Sequence, residues 1–101
     1  MRKIIEGDVN LSKLHLTELF DLSDVEVTGD FDCNNNFLTN LTGSPHTVGG
    51  YFKCSNNNLT NLEGGPHTVI SGAFYCYRNN LTSLKVVRSL LVVVIFVGGI
   101  T

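Results

Sequence analysis

The chain is poor in the features that usually indicate a function. It has 101 residues, no tryptophan, one methionine and two prolines, and only 16% of its residues are charged. Its seven lysines and arginines are scattered without a run, and the formal net charge is −2. A basic field that would recruit nucleic acid is therefore excluded.

Long apolar runs are also missing. The longest is LLVVVIFV at 90–97, and it is much shorter than the roughly 18–20 apolar residues that a spanning helix needs. The start, MRKII, lacks the apolar stretch and cleavage site of a secretory signal. We therefore expect one small domain, residues 1–101, that lies in the cytoplasm and does not contact a membrane.

The chain does contain one sequence motif that is repeated three times. FDCNNNFLTNL at 31–41 returns as FKCSNNNLTNL at 52–62 and as FYCYRNNLTSL at 74–84. Corresponding residues are therefore 21 and 22 positions apart, as Phe31, Phe52 and Phe74 are. A fixed period of this length indicates stacked coils, each built from one copy of the repeat.

Degenerate copies flank the three clear ones. DVNLSKLHLTEL at 8–19 matches after a shift of 22, which places Val9 on Phe31, and Phe96 lies 22 residues after Phe74. Degenerate terminal copies are typical of caps on a repeat array. The predicted units are an N-terminal coil at 8–28, repeats at 29–48, 49–70 and 71–88, and a C-terminal cap strand at 89–101.

The pattern L-x-L-x-x-N-x-L-x-x-L at this period resembles the leucine-rich repeat family, with Phe and Cys in the two apolar strand positions. Over roughly residues 8–85 it is more closely similar to small bacteriophage proteins with the repeat F-x-C-x-x-N-x-L-T-x-L-x-G-x-P-x-x-V-G-G. The segment after Lys85 departs from that phrase. The resemblance implies a mainly β, leucine-rich-repeat-like, right-handed solenoid of parallel strands with little or no helix. It also implies a partner among bacterial host proteins.

The repeated polar and thiol residues have an architectural interpretation. Alternation along a short strand directs Phe52 and Cys54 to the core, and Lys53 and Ser55 to solvent. A free cysteine behaves as a small hydrophobe, so all three cysteines are predicted to be core thiols. The repeated asparagines are expected to satisfy turn backbone groups and to stack as a hydrogen-bonded ladder; they are Asn36, Asn57 and Asn79.

Chemical sites are weakly indicated. Zinc ligands come in close pairs, whereas these cysteines are 21 and 22 residues apart. His46 and His67 should stack in exposed turns, without a third metal ligand in register. The glycosylation sequons at Asn40, Asn58 and Asn80 arise from the repeat phrase. We therefore predict no metal, no cofactor and no catalytic residues, and hence a protein that is not an enzyme.

The outward strand positions change from acidic to aromatic and basic along the array. They are predicted to be Asp30, Asp32, Asn34 and Asn35, then Tyr51, Lys53, Ser55 and Asn56, then Ala73, Tyr75, Tyr77 and Arg78. Tyr and Arg are the residue types that most often anchor protein interfaces. The candidate binding residues are Asp32, Tyr51, Lys53, Tyr75, Tyr77 and Arg78.

Two functions are compatible with this pattern. One is a non-catalytic module that binds another protein, in the host cytoplasm if the chain is encoded by a phage. The other is a structural protein that self-assembles through the apolar segment 89–97, because an open edge strand can pair with another chain. The same segment could instead fold over the last coil as a cap.

Overall fold

The structure is a computed structural model that describes residues 2–71, 73–82 and 95–97. These residues form short strands and turns, without any helix. The strands are β1 (Lys3–Ile5), β2 (Val9–Asn10), β3 (Val25–Val27), β4 (Phe31–Asp32), β5 (Thr47–Val48), β6 (Phe52–Lys53), β7 (Thr68–Val69), β8 (Ala73–Tyr75) and β9 (Ile95–Val97). No described segment is a helix that is long and apolar enough to cross a membrane.

The strands stack into two parallel sheets. The back sheet has the order β1-β3-β5-β7, and the front sheet has the order β2-β4-β6-β8-β9. Because each coil contributes one strand to each sheet, the chain winds as a β-solenoid of about three turns. The predicted mainly β solenoid of parallel strands is confirmed.

The register of the front sheet follows the sequence repeat. Val9 pairs with Phe31, Phe31 with Phe52, Phe52 with Phe74, and Phe74 with Phe96. The spacings of 21 and 22 therefore stack like residues directly on one another. The match of β9 to β8 also places Phe96 in the column that the sequence predicts.

Columns of identical side chains fill the core. The rings of Phe31 and Phe52 stack with centroids 5.4 Å apart, and those of Phe52 and Phe74 are 4.8 Å apart. Each fully buried phenylalanine contributes about 1.5–3 kcal/mol of hydrophobic stabilisation. The other fully enclosed columns are Cys33, Cys54 and Cys76, then Leu38, Leu59 and Leu81, then Leu41 and Leu62, and Val27, Val48 and Val69.

The back sheet is extended rather than helical, as the short period of the repeat predicts. In β3 the alternation is clear, because Val25 and Val27 are buried and Glu26 faces outward. β1 pairs with β3 and so adds a strand ahead of residue 8, where the sequence predicts the first coil to begin. Of the predicted cap strand 89–101, only 95–97 belong to the described residues.

Two predicted outward residues are buried. Ser55 is 1% exposed and Ala73 is 8% exposed. Since β6 ends at Lys53, strand alternation does not extend to Ser55, whose hydroxyl instead accepts a hydrogen bond from the Tyr77 amide at 3.1 Å. Ala73 lies in β8, which has neighbours on both sides in the front sheet, β6 and β9.

Candidate binding surface

The three cysteines are buried and unbridged, as predicted. The Cys33 thiol donates to the Lys53 carbonyl at 3.2 Å, and the Cys54 thiol donates to the Tyr75 carbonyl at 3.4 Å. Each thiol therefore bonds to the backbone of the following coil. This geometry joins coils and gives the sulfur no access to a substrate.

Burial also suppresses the reactivity of these thiols. Burial, and to a smaller extent the charge of Asp32, raises the pKa of the Cys33 thiol far above its ordinary range. Burial followed by the two neighbouring cysteines raises the pKa of Cys54, and burial alone raises the pKa of Cys76. A raised pKa keeps the thiol protonated, whereas the thiolate is the form that acts as a nucleophile and metal ligand. Among the described residues, no three His, Cys, Asp or Glu side chains are grouped to hold a metal ion.

The asparagine column bonds to the backbone. The Asn57 amide nitrogen donates to the carbonyls of Cys33, Cys54 and Ser55 at 3.1–3.2 Å. Its oxygen accepts from the Leu38 amide at 3.0 Å. Asn36 and Asn79 repeat the arrangement in their own coils. The asparagines therefore satisfy backbone groups, as predicted, and the hydrogen bonds that link successive coils run from each amide to the main chain of two coils.

The two turn histidines stack as predicted, but they are half-buried rather than exposed. The rings of His46 and His67 lie 4.7 Å apart and are inclined by only 11°. The Nδ1 atom of each ring is within 2.9 Å of the hydroxyl of the following threonine. The pair closes the turn at the start of the back strands, where Pro45 is also buried.

A left-handed backbone corner follows each front strand. Asn35, Asn56 and Arg78 occupy it with φ of 59°, 58° and 57°, and Lys13 holds the same position in the first coil with φ of 57°. Asparagine is one of the few residues other than glycine that tolerates this conformation well. The first and second repeats therefore use the residue that suits the corner, whereas the N-terminal coil and the third repeat do not.

The outward face of the front sheet contains a shallow hollow, which we call the tyrosine hollow. Its lining residues are Asn34, Tyr51, Lys53, Tyr75 and Tyr77. The rings of Tyr51 and Tyr75 meet edge to face, with centroids 5.5 Å apart and planes at 85°. Tyr77 continues the cluster, with its centroid 6.4 Å from that of Tyr75. The three rings together expose aromatic surface next to phenolic hydroxyl groups.

A single cation lines this hollow. The Lys53 ammonium lies 5.8 Å from the centre of the Tyr51 ring and 4.0 Å from a carboxylate oxygen of Asp30. Both charged side chains are about one-third exposed, so the ion pair is held loosely and contributes little to stability. Lys53 can therefore move towards a ligand without a large loss of folding free energy.

Four of the six predicted binding residues line the tyrosine hollow: Tyr51, Lys53, Tyr75 and Tyr77. Asp32 is half-buried and lies opposite Lys53 in the neighbouring strand. Arg78 is exposed and follows Tyr77 in the chain. Asn34 also lines the hollow. Asn34 was among the predicted outward residues but not among the candidate binding residues. It occupies the same repeat position as Tyr77, and this correspondence could have identified it as part of the binding surface.

No protein-family model matches the chain, and comparison with curated proteins and with solved structures found no match either.

Proposed function

We propose that this chain is a non-catalytic protein-binding module, and that the tyrosine hollow together with Arg78 is its binding surface. The observation that carries the proposal is a change in the repeat phrase. CNNN at 33–36 and CSNN at 54–57 become CYRN at 76–79. The third repeat thus replaces two small polar residues by Tyr77 and Arg78.

The first replacement removes a structural role. The Asn34 side chain accepts a hydrogen bond from the Ser55 amide at 2.7 Å, and the Ser55 hydroxyl accepts one from the Tyr77 amide at 3.1 Å. Small acceptors at this position therefore join one coil to the next. Tyr77 is 41% exposed, and within the described residues its phenolic oxygen makes no such bond.

The second replacement works against the local backbone. Arg78 holds a left-handed conformation that the matching asparagines hold more easily, and the difference costs about 1 kcal/mol. Within the described part of the chain, its guanidinium makes no ion pair or hydrogen bond that would compensate. Lys13 shares this strained corner, so a functional role for Arg78 is suggested by the strain together with its position beside the tyrosine hollow.

The chemistry of the surface suits protein binding. Tyrosine and arginine are enriched among the residues that dominate interface energetics. Tyrosine provides a large contact area at low conformational entropy, together with a hydroxyl for hydrogen bonding. Following the resemblance to bacteriophage repeat proteins, the partner that we propose is a bacterial host protein of a defence or regulatory system, bound in the host cytoplasm.

A reversion variant tests this function. Tyr77→Ser with Arg78→Asn gives the third repeat the CSNN sequence of the second repeat, so the fold should be retained and the thermal midpoint should be unchanged or higher. We expect the native chain to capture a stoichiometric partner from bacterial lysate, and the variant to lose it. Retained capture by the folded variant, or no partner for the native chain, would contradict the proposal.

The first coil supplies a matched control. Lys13→Asn removes one positive charge and relieves the same left-handed corner as Arg78→Asn, but at the opposite end of the array. Both substitutions should raise stability by a similar amount. Only the change at position 78 should reduce partner capture.

Self-association is a second candidate function. The observation that favours it is the position of β9, which ends the front sheet and, among the described strands, pairs with β8 alone. An unpaired strand edge is a template for another chain. On this view the segment 89–97 joins copies of the protein, and the concentration dependence of the molecular mass distinguishes the two functions.

A further inference from the structure

We infer that the tyrosine hollow recognises an acidic segment of its protein partner, through carboxylate side chains that lie beside the aromatic rings. The inference rests on the proposed binding function and names the chemistry of the ligand. It follows from the hydrogen-bonding state of this face, where several side-chain oxygens already cap backbone amides, whereas the cationic and side-chain amide N–H groups make no hydrogen bond within the described residues.

The acceptors of the front face cap backbone amides. The Asp30 carboxylate accepts from the Tyr51 amide at 2.8 Å, and its second oxygen is the one near Lys53. Asp32 accepts from the Asn34 amide at 2.9 Å. The side-chain oxygens of Asn34 and Ser55 accept from the next coil in the same way. A ligand that approaches as a donor therefore shares oxygens that already hold the coils together.

The hydrogen-bond donors around the hollow, in contrast, are not used by the fold. Within the described residues, no hydrogen bond uses the phenolic hydroxyls of Tyr51, Tyr75 and Tyr77, the Asn34 amide nitrogen or the Arg78 guanidinium. The Lys53 ammonium is 4.0 Å from its carboxylate partner, beyond direct hydrogen-bond distance. These groups are complementary to a ligand that brings acceptors.

Charge selects an anionic acceptor over a neutral one. Lys53 lines the hollow, and the exposed Arg78 follows the lining residue Tyr77; Asp32, like Arg78, lies outside the lining and is half-buried. The Asp30 carboxylate lies 4.0 Å from the Lys53 ammonium, and such a partly exposed pair is weak enough for Lys53 to exchange it for a ligand carboxylate. Arginine and lysine make their strongest hydrogen bonds to carboxylates, and a guanidinium can bind both oxygens at once.

The aromatic rings indicate which side chain should lie next to the carboxylate of the ligand. Tyr51 and Tyr75 meet edge to face and leave exposed ring surface next to the donors. Such a surface packs well against aliphatic or aromatic side chains. The preferred segment therefore places an Asp or Glu next to an apolar residue.

Selection from a random short-peptide library by mRNA display tests the inference, with the full-length chain as bait. We expect enriched peptides that combine Asp or Glu with apolar residues. Replacing their carboxylates by amides should weaken binding about tenfold or more, because charge-assisted hydrogen bonds are lost. Affinity should also fall as salt is added.

Variants of the bait locate the site. Arg78→Asn should weaken the enriched acidic peptides, and Lys13→Asn should leave their affinity unchanged. Enriched peptides that lack acidic residues, or equal binding of the acid and amide forms, overturn the inference. So does a library that yields no binder.

These results are separable from the proposed function. If the native chain captures a partner that the Tyr77→Ser and Arg78→Asn reversion loses, the binding module stands, whatever the library yields. If neither a partner nor a peptide is captured, both the function and the inference fail.

Discussion

At the scale of the residue, environment decides what each repeated side chain can do. Cys33, Cys54 and Cys76 are three potential nucleophiles whose burial raises the pKa of each thiol. The fold therefore uses them as core volume and as weak donors to carbonyl groups.

The raised pKa of the buried thiols predicts that stability depends on pH. An unfolded thiol loses its proton near pH 9.0, whereas the native Cys54 thiol keeps it. The unfolded state then binds fewer protons, so the free energy of unfolding should fall as pH rises above 9.0. Denaturant unfolding of the native chain across this range should show the decline.

Cys54→Ala is the control for that prediction. The substitution lowers stability at every pH because it leaves a cavity, so the slopes are the quantity to compare. Above the ordinary thiol pKa, the variant should lose less stability per pH unit, by up to about 1.4 kcal/mol. Identical slopes would mean that the thiol titrates equally in both states.

Glycine has a specific role at the corner before the front strands. A Cβ atom at Gly50 would collide with the Asp30 carboxylate, and one at Gly29 would collide with that of Asp8. Those carboxylates cap the amides of Tyr51 and Asp30. The aspartate of one coil and the glycine of the next are therefore a matched pair, seen at Asp8 with Gly29 and at Asp30 with Gly50.

At the scale of the element, the asparagine column joins coils whose strands are only two or three residues long. Such strands provide few ladder hydrogen bonds. The amides add bonds to the backbone of their own coil and of the preceding one. In the described part of the chain, no buried side-chain nitrogen or oxygen lacks a partner.

Adjacent asparagines provide a sharp test of this role. Asn57→Ala should lower the free energy of unfolding by about 2–5 kcal/mol, because it removes several buried hydrogen bonds at once. Asn58→Ala, at an exposed position one residue later, should change it by less than about 0.5 kcal/mol. Urea unfolding measures both, and similar losses would show that the column does not hold the coils together.

At the scale of the whole molecule, each coil contacts only its neighbours, so stability depends on how the ends are closed. In the first coil, Leu14 takes the place of the asparagine and is 53% exposed. Each asparagine in the array bonds back to the preceding coil, and Leu14 cannot form these bonds. This end is therefore a poorer site for a second copy of the chain than the edge at β9.

Sedimentation over a wide concentration range tests self-association. If copies join through 89–97, the mass should rise with concentration to a dimer, because the β9 end is better suited to pairing than the end at Leu14. A strict monomer at high concentration contradicts self-association and leaves the binding module as the remaining candidate. Long head-to-tail polymers would contradict the role given to Leu14.

Much of this molecule could be predicted from sequence because its interior is periodic. The spacings of 21 and 22 fix which residues stack, and the apolar members of each column must face inward. These relations give the parallel solenoid and the buried cysteines without any coordinates. They also place Tyr51, Lys53, Tyr75 and Tyr77 on one face.

The tertiary structure decided what lies beyond the ends of the short strands. Alternation fails at Ser55 because the strand has already ended, and the bonds of the asparagines depend on which carbonyls the adjacent coil brings close. The addition of Asn34 to the tyrosine hollow is likewise a property of stacked coils. A repeat in the sequence determines which residues are neighbours, but hydrogen-bond partners are selected by distances of a few tenths of an ångström, which only the folded backbone sets.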